Sequence, residues 1–226
     1  MIEKIEKELQ YGVEKILFLS GIPGTGKTNI VSKLCNKRNS IIKIRYYAYE
    51  PIQPDKEYLP MDVSERVKKE SFWNEMFSQL KQCLKGSLYK YNVPLQNCFM
   101  SWEQKKQLFF EIIDKYAKDI GCKFVIAIDG IDHAARAGIG EGTFLETLPN
   151  PEYIPDNIKL LISGQPPESY PSYPLWLRRE GSDVKKICVP GIEKEDILSL
   201  VAKKISDDRR SEYNAIVDIV EKYSEK

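Results

Sequence analysis

Apolar positions along the chain follow two different rhythms. Short, nearly unbroken apolar runs occur at Ile16-Leu17-Phe18-Leu19, at Ile41-Ile42-Lys43-Ile44-Arg45-Tyr46-Tyr47-Ala48-Tyr49, at Lys123-Phe124-Val125-Ile126-Ala127-Ile128, at Ile158-Lys159-Leu160-Leu161-Ile162 and at Lys186-Ile187-Cys188-Val189. Runs of this length, rich in β-branched and aromatic residues, predict five strands at about 14–20, 41–49, 123–128, 158–162 and 186–189. The third run lacks alternation, as expected of a central parallel strand covered on both faces. Between the runs, apolar residues recur at helical spacing. Ile2, Ile5 and Leu9 stripe residues 1–11, and Ile30, Val31 and Leu34 stripe a helix that ends near 37. Trp73, Met76, Phe77, Leu80 and Leu84 form a third stripe, read as core rather than as a binding surface. Leu108, Phe109, Ile112, Ile113 and Tyr116 form a fourth, behind Ser101-Trp102-Glu103-Gln104, which has the spacing of a capping box.

Turn residues punctuate these elements. Pro51, Pro54 and Pro60 mark an extended loop, Gly86 and Pro94 a second, and Pro166, Pro167, Pro171 and Pro174 a connector. A loop and short helix are expected over 132–148. Strands alternating with helices predict an α/β fold, a parallel sheet with helices on both faces. After Gly191 the pattern changes to two helical stripes, Ile197, Leu200, Val201 and Ile205, then Tyr213, Ile216, Val217 and Val220, with no strand between. The expected organisation is a core over 1–190 and a small, partial helical lid over 191–226.

Composition narrows the classes. The 226 residues are 42% hydrophobic and 30% charged, with net charge +1. No global field draws the chain to nucleic acid or to a membrane. Lys203-Lys204 and Arg209-Arg210 are interleaved with acids and read as a mixed-charge face. The amino terminus has no apolar segment of the signal-peptide kind, and no apolar stretch reaches membrane-spanning length. Cys35, Cys83, Cys98, Cys122 and Cys188 are scattered, without metal-ligand spacing. They are expected to be reduced, mostly buried thiols in a cytoplasmic protein. A single histidine argues against a zinc site.

The chemistry concentrates after the first run, in Gly21-Ile22-Pro23-Gly24-Thr25-Gly26-Lys27-Thr28. This matches G-x-x-x-x-G-K-[ST], set between a strand and a helix as a phosphate-binding loop requires. Glycines at 21, 24 and 26 leave backbone N–H groups free to face phosphate oxygens, and the helix start adds its own. Lys27 would reach the β- and γ-phosphates and Thr28 a Mg²⁺ ion, with Pro23, Thr25 and Asn29 completing the nucleotide set. The competing reading is a chance glycine-rich turn. Asp129, ending the third run, would sit at the carboxyl edge of the sheet and hold Mg²⁺ with Thr28; otherwise it is a turn aspartate before Gly130. Asp132 and His133 follow, and one of them could orient or deprotonate an attacking water, Asp132 being preferred. A lone histidine is more often structural. Arg136 reads as a surface salt bridge, or else as a phosphate or partner contact. Ser163 and Gln165 end the fourth run, where they could reach the γ-phosphate or the lytic water. Gly138, Gly140 and Gly142 do not form a dinucleotide fingerprint and read as a flexible loop.

These motifs together resemble the STAND class of P-loop ATPases, which includes the NACHT proteins. Their second motif is four apolar residues, then Asp-Gly-Leu-Asp-Glu; here Val125-Ile126-Ala127-Ile128-Asp129-Gly130-Ile131-Asp132-His133 carries isoleucine for leucine and histidine for glutamate. Ile162-Ser163-Gly164-Gln165-Pro166 stands where that class often has Thr-Ser-Arg-Pro, with Gln165 for arginine. Arg45-Tyr46-Tyr47 and the Asp-Gly-Ile-Asp-His turn look like the ATPase modules of bacterial antiphage-defence proteins. The resemblance implies a three-layer P-loop NTPase sandwich with a mostly parallel sheet, binding ATP and Mg²⁺ beneath a helical lid. It implies a switch, with a closed ADP state and an ATP state that self-associates, and effector or sensor domains elsewhere in a larger protein. The chain is then expected to be either a fragment of such a protein, the preferred reading, or a minimal ATPase that works with separate partners. No Asn-Lys-x-Asp element that would read guanine is present. Three rivals remain: an AAA+ motor or loader acting on nucleic acid or protein, against which Gly130 stands where a glutamate is usual; a small-molecule kinase, against which the 166–174 connector lacks arginines; and an interaction module that binds nucleotide without hydrolysing it.

Overall fold

In the computed structural model the described residues are 1–38, 40–50, 62–91, 93, 100–137, 142–179, 183–191, 199 and 215–217. Five strands, β1 (Ile16–Ser20), β2 (Ile42–Tyr47), β3 (Phe124–Asp129), β4 (Ile158–Gly164) and β5 (Val184–Cys188), form one sheet in the order β2-β3-β4-β1-β5. Every pairing is parallel. The helices are α1 (Ile2–Tyr11), α2 (Lys27–Cys35), α3 (Val63–Arg66), α4 (Lys69–Cys83), α5 (Trp102–Ile120), α6 (Ile131–Ala137) and α7 (Leu175–Arg178).

The two-residue period of a strand sorts the core into two layers. Ile16 and Phe18 of β1, Ile44 and Tyr46 of β2, and Phe124, Ile126 and Ile128 of β3 face one side, where they pack with Trp73, Met76, Phe77 and Leu80 of α4 and Phe109, Ile112 and Ile113 of α5. Leu17 and Leu19 of β1, Val125 and Ala127 of β3, and Leu161 of β4 face the other side, with Ile5 and Leu9 of α1 and Val31 and Leu34 of α2. The result is the three-layer α/β sandwich expected from the sequence. The Trp73–Leu80 stripe is core: Leu80 is fully buried, and the Trp73 indole donates to Thr147 Oγ1 at 3.0 Å.

Local signals set the element ends. The Ser101/Gln104 box closes reciprocally, with Gln104 N donating to Ser101 Oγ at 3.2 Å and Ser101 N to Gln104 Oε1 at 2.8 Å. At the far end of α5, Gly121 takes the left-handed conformation, φ 64°. The buried ammonium of Lys159 donates to Glu8 O and Gly12 O, holding the carboxyl end of α1 against β4. Gln79 of α4 brackets edge strand β2, accepting from Arg45 N at 2.9 Å and donating to Arg45 O at 2.7 Å. That pairing covers backbone groups that an open edge would offer to another strand.

Several expectations shift. β4 continues two residues beyond the predicted end, through Ser163 and Gly164, both buried. Asp132 and His133 open helix α6 rather than lying in a turn. The connector at 166–174 contains a 3₁₀ turn, Pro167–Ser169, before α7. The thiols are not mostly buried: Cys122 and Cys188 are exposed, and Cys35 and Cys83 half-buried. Cys122 follows the glycine cap of α5, and Cys188 ends edge strand β5. Cys98, the 51–61 loop and Gly138 and Gly140 lie outside the described residues.

The chain divides into two units, Met1–Val189 and Pro190–Lys226. Nearly all of the second, including the first predicted lid stripe, lies outside the described residues. No helix among the described residues is long and apolar enough to cross a membrane.

Candidate functional site

The glycine-rich loop leaves β1 at the carboxyl edge of the sheet. Gly24 and Gly26 sit at φ 82° and 84°, conformations that an L side chain rarely adopts. Gly21 is needed for space: a Cβ there would lie 2.8 Å from Thr25 Oγ1 and 2.8 Å from the Val189 carbonyl. Gly26 is the N-cap of α2 and brings no side-chain cap, so the first-turn N–H groups of the helix remain open. Pro23, Gly24 and Asn29 are exposed, and Thr25 is buried, its hydroxyl donating to Ile22 O. Lys27 folds back over the loop, donating to Gly21 O at 2.7 Å and Ile22 O at 2.9 Å. Partial burial lowers its ammonium below the usual lysine range, opposed by the charges of Asp132 and Asp129.

Asp129 ends β3, two strands from β1, with β4 between. It nevertheless meets the loop, because Thr28 Oγ1 donates to Asp129 Oδ2 at 2.8 Å. The other carboxylate oxygen accepts from the Ser163 hydroxyl on β4. Ser163 also accepts from Gly130 N at 3.2 Å, so one buried hydroxyl joins the ends of β3 and β4. Burial pushes the Asp129 carboxyl above its ordinary value; the hydrogen bonds from Ser163 and Thr28 oppose this, and the Asp132 charge adds to it.

The first turn of α6 supplies the next layer. Asp132 is buried, and its Oδ2 accepts from Gln165 Nε2 at 3.0 Å and pairs with Arg136 Nη2 at 3.0 Å. The Gln165 side chain is thus engaged with Asp132. Arg136 Nη2 also lies 3.1 Å from His133 Nδ1. The imidazole stacks on Tyr49 at 4.7 Å between centroids, the rings 6° from parallel. Burial, first, holds His133 below the usual histidine range; the charge of Asp132 opposes it and that of Arg136 adds to it. Gly130 turns the chain between β3 and α6 at φ 76°, and a Cβ there would lie 3.1 Å from His133 Cδ2.

The structure therefore brings Lys27, Thr28, Asp129, Asp132, His133 and Gln165 to one edge of the sheet. Sequence reasoning missed Tyr49 and the contact from Ser163 to Asp129. Tyr49 carried a weak signal: it is the last aromatic residue of the predicted strand 41–49, which the structure ends at Tyr47 and pairs with the strand that ends in Asp129. A cavity of about 530 Å³, lined by residues including Gln10, Ile41, Cys122 and Lys123, lies where β2 and β3 begin, at the opposite edge, and contains none of these residues. Among the described residues, no group of three or more His, Cys, Asp and Glu side chains could hold a metal by itself.

With that geometry in hand, comparison with known proteins adds the following. A protein-family model described as an AAA domain matches residues 11–170. No curated protein sequence matches. Among solved structures, the Walker-type ATPase of Pyrococcus abyssi is similar, with TM-score 0.50 and 16% identity over 97% of this chain and 61% of that one. A Signal Transduction ATPase with Numerous Domains (STAND) protein with a tetratricopeptide repeat sensor, from Pyrococcus horikoshii, matches with TM-score 0.40 and 15% identity, over 95% of this chain and 27% of that one. The chain thus spans less than two thirds of either structure, and at 16% identity the likeness to the first is one of fold.

Proposed function

Because the chain belongs to the AAA domain family, with the sheet and loop of a P-loop NTPase, we propose that it binds ATP with Mg²⁺ at residues 21–28 and hydrolyses it slowly. On this reading it acts as a STAND-type switch in the cytoplasm whose nucleotide state controls self-association. One observation carries the reading: the hydrogen bond from Thr28 to Asp129 joins the phosphate loop to a buried carboxylate from another strand.

The residues suit the proposed ligands. Gly24 and Gly26 open the loop backbone, and α2 adds uncapped N–H groups to receive phosphate oxygens. Lys27 Nζ would exchange its two loop carbonyls for phosphate oxygens, which are stronger, charged acceptors. Asp129 is a buried carboxylate whose hydrogen-bond partners are two neutral hydroxyls, so a cation beside it would offset its desolvation. Magnesium keeps several waters and takes one or two carboxylates plus phosphates, which matches one hydroxyl and one carboxylate here. When bound, it would neutralise charge on the phosphates during transfer to water. Asp132 is the candidate to orient that water, once Gln165 or Arg136 releases it. The region 191–226 is the proposed lid, with effector or sensor domains in a longer protein.

The AAA+ motor reading is disfavoured by Gly130. At φ 76°, with a Cβ there 3.1 Å from His133 Cδ2, the position would hold under strain the glutamate that such motors usually carry after the metal-binding aspartate. The Asp-Gly-Ile-Asp element supports the STAND reading instead. Purified chain mixed in excess with radiolabelled ATP and Mg²⁺ should release phosphate in a single turnover. ATP that is bound but never cleaved would leave the non-hydrolysing interaction module as the function, and no binding at all would refute the site.

A further inference from the structure

His133 is clamped on three sides. Tyr49 covers one face of the ring, stacked within 6° of parallel. Gly130 lies under the Cδ2–Nε2 edge, so close that an added Cβ would be 3.1 Å from Cδ2 and 3.9 Å from Nε2. Arg136 Nη2 stands 3.1 Å from Nδ1. A guanidinium nitrogen carries only donors, so in this contact Nδ1 accepts. The two N–H groups of Nη2 are thereby shared between His133 Nδ1 and Asp132 Oδ2. The proton of a neutral ring must then be on Nε2, on the edge toward Gly130 and the end of β3. Among the described residues, Nε2 has no hydrogen-bond partner.

We propose that Arg136 locks His133 as the Nε2–H tautomer, making it a hydrogen-bond donor to the terminal phosphate of bound nucleotide rather than the base that activates water. The phosphate half of this inference rests on the nucleotide reading above; the tautomer half does not. A ring already protonated at Nε2, with Nδ1 held by an arginine, has no free lone pair with which to take a proton from water. The charges around the ring are Asp132 and Arg136 on its own helix, Asp129 on β3 and Lys27 on α2, and the net effect with burial is to favour the neutral form. Arg136 is then a positioning residue, acting through its neighbour.

His133 is the only histidine in the chain, so ¹⁵N-histidine labelling gives the spectrum of one imidazole. At pH 7.5, without nucleotide, the expected result is one N–H-type signal coupled as Nε2 and one bare-nitrogen signal coupled as Nδ1. A dominant Nδ1–H form or an imidazolium would overturn the proposal. Arg136→Met should introduce a measurable Nδ1–H fraction; an unchanged pure tautomer would remove Arg136 from the account. The phosphate half is read from affinities. His133→Phe keeps the stack on Tyr49 and loses the donor, so it should weaken a non-hydrolysable ATP analogue relative to ADP by about tenfold, whereas His133→Gln, which retains an N–H near the Nε2 position, should stay within about threefold of wild type. Equal losses in both variants would overturn the donor role. The labelled spectrum needs no ATP, so failure of the nucleotide reading and failure of the tautomer assignment are separable.

Discussion

Thr28 Oγ1 donates to Asp129 Oδ2 across 2.8 Å although 101 residues separate them in sequence. The two side chains come from α2 and from the end of β3, and a third strand runs between β3 and β1. The contact exists because three parallel strands stop at the same edge and because Ser163, on the intervening strand, turns the carboxylate. A site of this kind is assembled by the order of the sheet, and each of its parts can be removed separately.

Lys27→Ala removes the ammonium that folds back over the loop. Its partners in this state are two loop carbonyls, so thermal stability should change little. Charge-assisted bonds to phosphate contribute about 1.5–3 kcal/mol, so affinity for ATP should fall about 10- to 100-fold. A fluorescent-nucleotide titration measures this, and unchanged affinity would remove Lys27 from the nucleotide site.

Asp129→Asn separates function from stability. Burial raises the Asp129 carboxyl above its ordinary value of 3.8 in the folded chain. Between that ordinary value and the raised one, the folded chain binds more protons than the unfolded chain, so stability falls as pH climbs through the interval. Above it, the full penalty of the buried charge persists. The asparagine variant should therefore melt higher at neutral pH, by about 2–4 °C for each kcal/mol recovered, and lose this component of the pH dependence. Addition of Mg²⁺ should stabilise wild type in the presence of nucleotide and not the variant. Melts from pH 4 to 8 would expose a wrong sign directly.

How much of this was readable beforehand varied with the physics involved. The phosphate loop, the strand ending in Asp129 and the capping box are local patterns, and each is set by neighbours within one or two turns. Ser163 was not readable in its actual role. A hydroxyl at the end of an apolar run looks like a strand terminus, yet it is fully buried because Asp129 and the Gly130 N–H satisfy it. Arg66 gave no signal at all. It is buried because Tyr47 O accepts from its Nε at 2.6 Å while Glu75 and Glu50 lie 3.3 and 3.6 Å from its Nη2, partners drawn from β2 and α4 and from the stretch after β2. Tertiary partners decide such positions, and a single sequence does not list them.

Ser163→Ala tests the intervening strand. The carboxylate loses its buried donor, and Gly130 N keeps only the Ser163 carbonyl at 3.1 Å. Removing one partner of a buried, charged hydrogen bond costs about 1–3 kcal/mol. The melting temperature should fall, and the Mg²⁺-dependent part of nucleotide affinity should weaken while the Mg²⁺-independent part persists. Equal loss with and without Mg²⁺ would mean that Ser163 supports the sheet and not the carboxylate.

Gly21→Ala and Gly24→Ala contrast crowding with strain in one loop. At Gly21 a methyl would press on the Val189 carbonyl, and Val189 is held beside β1 by its N–H donating to Ser20 O at 2.7 Å, so the loop or the residue after β5 has to move. Overpacking of this kind costs about 1–3 kcal/mol, and the displaced loop should bind ATP poorly. At Gly24 a methyl meets nothing within 4 Å, and the penalty comes only from holding alanine at φ 82°, about 1–2 kcal/mol. The expected signature is a lowered melting temperature in both variants, with that of Gly24→Ala recovered when saturating ATP and Mg²⁺ reinforce the loop and that of Gly21→Ala not recovered. Equal recovery in the two would show that the space beneath Gly21 is not needed for the phosphate cradle.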